Sequence, residues 1–160
     1  MLLLRQSTSK PLISRAKIRQ LCLSYEHMSP DKVKKIKVLL VDDEEKILRF
    51  LALKLKLFGY QVITAVDGQE ALEQAKATDL DVVVLDILMP VIDGFEVLQQ
   101  LRKFSNLPVI AISAKGDNAE RAFDLGANDF ITKPFKPDEL VAKIEANLDH
   151  KGPLSRANLN

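Results

Sequence analysis

Five polar side chains stand at the ends of short segments of strand length. Asp42 and Asp43 follow residues 36–41, Asp86 closes Val82-Val83-Val84-Leu85, Ser113 follows residues 107–112, and Lys133 follows residues 127–132. Singly, each has an ordinary use: an Asp at a strand end starts a helix, a Ser there turns the chain, and a Lys is solvated. Gathered in one place they would do chemistry. Three carboxylates repel one another unless a hard cation lies among them. Mg²⁺ suits such a set, because it takes one or two carboxylates, keeps several waters and is often completed by a phosphate oxygen. A hydroxyl and an ammonium on the same rim complete a phosphoryl site.

The elements that would gather them are legible from the apolar pattern. The run ending in Asp86 has three consecutive valines and a leucine, the composition of a strand buried on both faces inside a parallel sheet. Before it, residues 36–41 read as a first strand. Residues 46–58 read as a helix with Ile47, Leu51, Leu55 and Phe58 at helical spacing and Gly59 as its stop, and residues 61–65 as a second strand. Asp67 with Glu70, and Asp93 with Glu96, have the spacing of an N-cap acid and a glutamate three residues on. They open helices through Ala77 and along Val97, Leu98, Leu101 and Phe104. Residues 107–112 form a fourth strand with a proline near its start. Residues 117–125 form a short helix with the same acid spacing, ended by Gly126, and residues 127–132 a fifth strand. Pro137 starts the last helix, with Leu140, Val141, Ile144 and Leu148 on its buried face.

Strict strand–helix alternation predicts an α/β fold of the flavodoxin-like type: a doubly wound, five-stranded parallel sheet with helices on both faces. Right-handed crossovers favour the order 2-1-3-4-5, whose ligand crevice lies beyond the carboxyl ends of strands one and three. Those ends carry Asp42-Asp43 and Asp86.

Length and composition fit one such domain. The chain has 160 residues, 47% hydrophobic and 28% charged, and its one cysteine, Cys22, excludes a disulfide framework or a cysteine metal site. No apolar run approaches the ~18–20 residues needed to cross a bilayer. Charge is unevenly placed: residues 1–35 hold eight Lys or Arg against Glu26 and Asp31, leaving 15 basic and 20 acidic residues in the rest. The compact part is therefore acidic, which argues against nucleic-acid binding by this chain. Residues 1–35 show no sustained period. They read as a disordered basic arm, as translated sequence upstream of a start at Met28, or, over residues 1–27, as an organellar targeting segment.

The motifs resemble those of the response-regulator receiver domain of two-component signalling. The resemblance is carried by Val41-Asp42-Asp43-Glu44, by Leu85-Asp86 with Met89-Pro90 and Asp93-Gly94, and by Ser113-Ala114-Lys115. It continues through Gly126-Ala127-Asn128-Asp129-Phe130 to Lys133-Pro134-Phe135, and spans residues 36–149. It implies that Asp86 is the phosphoacceptor, supplied by a histidine kinase, and that Asp42, Asp43, Asp86 and the backbone carbonyl of Leu88 hold Mg²⁺. It further implies that Lys133 pairs with the phosphoryl oxygens, that Ser113 moves to hydrogen-bond them, and that Phe130 turns into the vacated space. The family often has Thr and Tyr at these last two positions; Ser keeps the donor, whereas Phe lacks the hydroxyl.

The resemblance is closest to receivers of winged-helix regulators, which pair through the fourth helix, fifth strand and fifth helix. There Arg121 with Glu139 and Asp129 with Lys143 are expected as intersubunit pairs of a phosphorylation-favoured homodimer. Two other functions compete. A haloacid-dehalogenase-type phosphatase would need a second Asp two residues after Asp86, where Leu88 stands; a pseudo-receiver acting only by binding partners would typically have lost one of the acids or the lysine. The expected protein is a cytoplasmic switch, not an enzyme that turns over a substrate, although it would catalyse its own phosphorylation and slow dephosphorylation. Beyond His150 the remaining residues read as a tail or linker. The chain is then a stand-alone receiver, or a fragment whose effector begins past Asn160.

Overall fold

The computed structural model describes residues 35–149. Residues 1–34 of the basic arm, with the targeting segment read over residues 1–27 and the alternative start at Met28, and the tail from His150 lie outside the described residues. Five parallel strands, β1 (Lys37–Val41), β2 (Gln61–Ala65), β3 (Val82–Asp86), β4 (Val109–Ser113) and β5 (Asp129–Thr132), form one sheet in the order β2-β1-β3-β4-β5. They alternate with helices α1 (Glu45–Leu57), α2 (Gly68–Ala77), α3 (Gly94–Arg102), α4 (Asn118–Asp124) and α5 (Pro137–Asp149).

Strand periodicity divides the core. In β1, Val38 and Leu40 face one layer while Leu39 and Val41 face the other, and β3 does the same with Val82 and Val84 against Val83 and Leu85. The first layer is closed by Leu48, Leu51 and Leu55 of α1 with Leu140, Val141 and Ile144 of α5; the second by Leu72 of α2, Phe95, Leu98 and Leu101 of α3, and Ala122 of α4. All five residues of β3 and of β4 are buried. These strands read as continuous apolar runs because both of their faces are covered. Among the described residues no helix is long and apolar enough to cross a membrane.

Several boundaries differ from the sequence pattern by a residue or two, and four of them have a local reason. Helix α1 ends one residue earlier than expected. Gly59, at φ 93°, donates to the Lys56 carbonyl at 3.0 Å, and Tyr60 donates to that of Leu55 at 3.1 Å, a Schellman closure. Its apolar contact is Tyr60 against the layer containing Leu55, so Phe58 faces solvent. Phe104 lies past the end of α3, where helical spacing no longer aims it at the core; it is exposed under Lys76, whose Nζ is 5.3 Å from the ring centroid. Strand β4 starts after Pro108, whose carbonyl accepts from Val83 N at 2.9 Å. Strand β5 starts at Asp129, because Gly126 and Ala127 close α4 by the same Schellman pattern, onto the carbonyls of Phe123 and Ala122.

The loop after β3 contains a fully exposed valine, Val91, at φ 68°. A β-branched residue there costs about 1–2 kcal/mol, while glycine at the same point costs only its ~0.5–1 kcal/mol of chain entropy. Val91→Gly therefore raises stability by up to about 1 kcal/mol, or roughly 2–4 °C in Tm by thermal melting. A Tm that stays put or falls would show that the loop is not strained.

Candidate functional site

The register of the sheet places the site. Val41 is paired with Leu85, Asp86 with Ile112 and Ser113 with Thr132, so Asp42, Asp86, Ser113 and Lys133 emerge together at the carboxyl rim. Asp86 and Ser113 are the last residues of their strands, both buried, and Asp42 is buried beside them. Each carboxylate is fixed by the loop that follows it. Glu44 N donates to Asp42 Oδ1 at 2.8 Å, and Leu88 N donates to Asp86 Oδ1 at 3.0 Å. The other oxygen of each pair points to one cation: Lys133 Nζ donates to Asp42 Oδ2 at 2.9 Å and to Asp86 Oδ2 at 2.6 Å. Lys133 is itself positioned by its backbone N, which donates to the Ser113 carbonyl at 2.8 Å.

Oxygens of Asp42, Asp43 and Asp86 lie within 4.8 Å of one another, with Asp43 the most exposed of the three. A set made only of hard carboxylate oxygens fits Mg²⁺ and gives no reason to choose a softer ion. The loop over Asp86 is kept close by Gly94, whose N donates to the Ile87 carbonyl at 2.9 Å. A Cβ at Gly94 would sit 2.6 Å from Ile87 Cα and closer still to the Asp86 carbonyl oxygen, so only glycine fits.

The remaining residues singled out from sequence are distributed as follows. Phe130 is half-buried and packs against the core layer of α2, α3 and α4. Asp129 and Lys143 pair within the chain at 2.7 Å, and the same carboxylate accepts from Asn147 Nδ2 at 3.3 Å. The Arg121 guanidinium lies 4.0 Å above the Phe95 ring, and Glu139 is exposed on α5. The pattern at Asp117 does not become a cap. Asp117 already has helical backbone angles, whereas a capping side chain needs extended ones, and no hydrogen bond forms from it to the helix.

Sequence reasoning missed two features. Asn118 Nδ2 donates to Ser113 Oγ at 2.8 Å, a bond with no local motif to announce it. An apolar groove of about 400 Å³ adjoins the rim, lined by Ile47, Phe50, Leu51, Ala114, Pro134 and Phe135, with Lys133 in its wall. Part of its signal was present: Phe50 begins an exposed apolar row on α1 that continues with Leu53 and Leu57 at i+3 and i+7, and of that row Phe50 lines this groove.

Residues 38–145 match the family described as response regulator receiver domain. The chain belongs to that family. The receiver is 46% identical over 119 residues to the probable transcriptional regulator ycf27 of Cyanophora paradoxa, covering 73% of this chain and 50% of that protein. It is 44% identical over 115 residues to the alkaline phosphatase synthesis transcriptional regulatory protein PhoP of Bacillus subtilis, covering 70% and 48%. The chain thus spans about half the length of these relatives. Among solved structures, the receiver domain of Francisella response regulator 1452 superposes with a TM-score of 0.69 at 37% identity, over 73% of this chain and 99% of that one. Response regulator TrrA of Thermotoga maritima, solved in complex with Mg²⁺ and BeF, does so at 0.66 and 34% identity, over 71% and 99%.

Burial raises the pKa of Asp86 above the usual carboxylate range. The Lys133 hydrogen bond and charge and the Leu88 N–H oppose the rise without cancelling it, and the Asp42 charge adds to it. For Lys133, burial alone would lower the pKa, but hydrogen bonds and charges from Asp86 and Asp42 raise it overall. A raised Asp86 value means that the native chain holds this proton more tightly than the unfolded one. The group's contribution to stability is full below the unfolded carboxylate pKa, about 3.9, and is lost as pH rises through the native value. The Lys133 contribution is present below about pH 10.4 and lost above, so it is constant at lower pH. In chelator, Asp86→Asn accordingly melts above wild type at pH 7, and the difference shrinks as pH approaches 4. The same offset at both pH values would mean that burial does not govern Asp86.

Proposed function

We propose that this receiver is a cytoplasmic phosphorylation switch in which Asp86 is the phosphoacceptor. The observation that carries the reading is the shared contact of one ammonium with two buried carboxylates beside a third. Asp86 attacks as a carboxylate nucleophile: its Oδ–P bond forms as the N–P bond of a kinase phosphohistidine breaks, and the imidazole nitrogen leaves with the electron pair. With acetyl phosphate the leaving group is acetate. Asp42, Asp43, Asp86 and the Leu88 carbonyl would hold Mg²⁺, which when bound offsets the charge gathering on the phosphoryl oxygens. Lys133, already at Asp86 Oδ2, does the same from the other side. The Ser113 hydroxyl donates to the new phosphoryl group and Phe130 turns inward. The TrrA structure, which contains Mg²⁺ and BeF, supports this assignment. A kinase has to bring its phosphohistidine to the rim, and the apolar groove that shares Lys133 is the surface suited to receive it.

The output is a change in the face of α4, β5 and α5, favouring a homodimer with Arg121 and Glu139, and Asp129 and Lys143, as intersubunit pairs. The Asp129–Lys143 pair is intrachain in the structure, so dimerisation would exchange partners instead of creating a new ion pair. Each such pair contributes only ~0–1 kcal/mol, which makes the face a reversible contact. The acidic balance of the compact part supports an output by protein contact, not by binding nucleic acid directly. Leu88 stands where a phosphatase would need its acid, which supports switching over substrate turnover.

The test is incubation with acetyl phosphate and Mg²⁺, followed by intact mass and peptide mapping of wild type and Asp86→Ala. One phosphoryl group, mapped to the peptide containing Asp86 and absent from the variant, is expected. An unlabelled wild type, or a labelled variant, overturns the assignment. Gel filtration with beryllofluoride and Mg²⁺ at tens of micromolar chain is expected to give a dimer; a monomer alone would remove the dimer from the account.

A further inference from the structure

Ser113 has no exposed surface, and its Oγ accepts two hydrogen bonds, from Asn118 Nδ2 at 2.8 Å and from Lys115 N at 3.1 Å. A hydroxyl oxygen has two acceptor sites and one proton. With both acceptor sites engaged, rotation of the Ser113 side chain has to break at least one of these partly buried hydrogen bonds. The Asn118 donor is the one attached to a movable element. Asn118 is the first residue of α4, a helix of seven residues with no side-chain cap and with Ala122 as its one buried residue. Without the Ser113 bond, its first turn is tied down by Asn118 N to the Lys115 carbonyl at 3.2 Å and Ala119 N to the Gly116 carbonyl at 3.0 Å, both within the same loop.

We propose that Asn118 is a positioning residue, an amide latch that keeps the Ser113 hydroxyl in its resting place and passes its release to the first turn of α4. This inference rests on the function proposed above. When Asp86 carries a phosphoryl group, the Ser113 O–H turns toward it, Oγ leaves Asn118 Nδ2, and α4 loses its side-chain tie to the end of β4. Arg121 is on that helix, one turn on from Asn118, so the release reaches the face assigned to dimerisation. The latch also opposes activation, because the resting arrangement has a hydrogen bond that the activated one lacks.

The test is a double-mutant cycle on the full chain, reading beryllofluoride affinity in the presence of Mg²⁺ for wild type, Asn118→Ala, Ser113→Ala and the double variant. Loss of one net hydrogen bond from the resting state tightens binding by about twofold to tenfold in Asn118→Ala. The same substitution has no effect in the Ser113→Ala background, because the latch is already open. Hydrogen exchange at the first-turn amides of α4, without beryllofluoride, is expected to be faster than wild type and equal in both single variants. Asn118→Ser, whose shorter side chain does not span the gap, repeats the comparison should Asn118→Ala fold poorly. Equal shifts in both backgrounds, or none in either, would mean that Asn118 merely starts a helix, and the latch is wrong. A wild type that binds no beryllofluoride with Mg²⁺ removes the proposed function itself, and the latch with it.

Discussion

Two buried carboxylates, Asp42 and Asp86, share one ammonium, and the rest of the rim is arranged around that contact. Their oxygens lie within 4.8 Å of one another, a range in which like charges repel by roughly 4 kcal/mol at an effective dielectric near 20, and a cation between them offsets that repulsion. Lys133 supplies the charge from a strand end, where its backbone is bound to Ser113 and its side chain has little freedom. A single +1 charge against Asp42, Asp43 and Asp86 still leaves the crevice acidic. That residual charge makes the place suited to a divalent cation, and burial makes one of the acids responsive to its surroundings.

The fold delivers this contact through parallel register. Neighbouring strands that run the same way end on the same side, and one residue of slip would turn Asp86 or Ser113 to the other layer of the core. Slip is opposed by packing, because successive residues of β1, β3 and β4 fit into different layers and a one-residue shift would exchange them. Gly94 then lets the following helix approach the Asp86 backbone closely enough for its loop to hold the carboxylate through Leu88. Core packing and site geometry are thus one requirement here.

The strand ends were legible in the sequence because a buried parallel strand is apolar throughout and stops at its first polar residue. Asp86 and Ser113 follow from that rule, and Asp42 and Asp43 follow from it one step later; β5 begins with Asp129 and ends in Thr132, so Lys133 was legible only from the strand–helix alternation and the motif around it. The helices were legible in number, with errors at their edges: Phe58 and Phe104 fit the helical period but fall where the helix has already ended. Asp117 has the spacing of a cap and not the backbone angles, which sequence spacing does not encode. The Asn118 to Ser113 bond and the intrachain Asp129 to Lys143 pair depend on side-chain directions across loops and layers, and no periodic pattern carries those. The exposed row on α1 was visible as spacing, but one helix offered two apolar rows, and choosing the buried one required knowing how the helix lies on the sheet.

The central claim is that strand ends far apart in the chain form one acidic crevice for a divalent cation beside Asp86. A Mg²⁺ titration followed by backbone amide chemical shifts tests it most directly, with wild type and Asp43→Ala compared. The account predicts saturable shifts clustered after β1 and β3, around residues 42–44 and 86–89, and weakened in the variant. Shifts that are absent, that do not saturate, or that scatter over exposed acids elsewhere on the surface would contradict it.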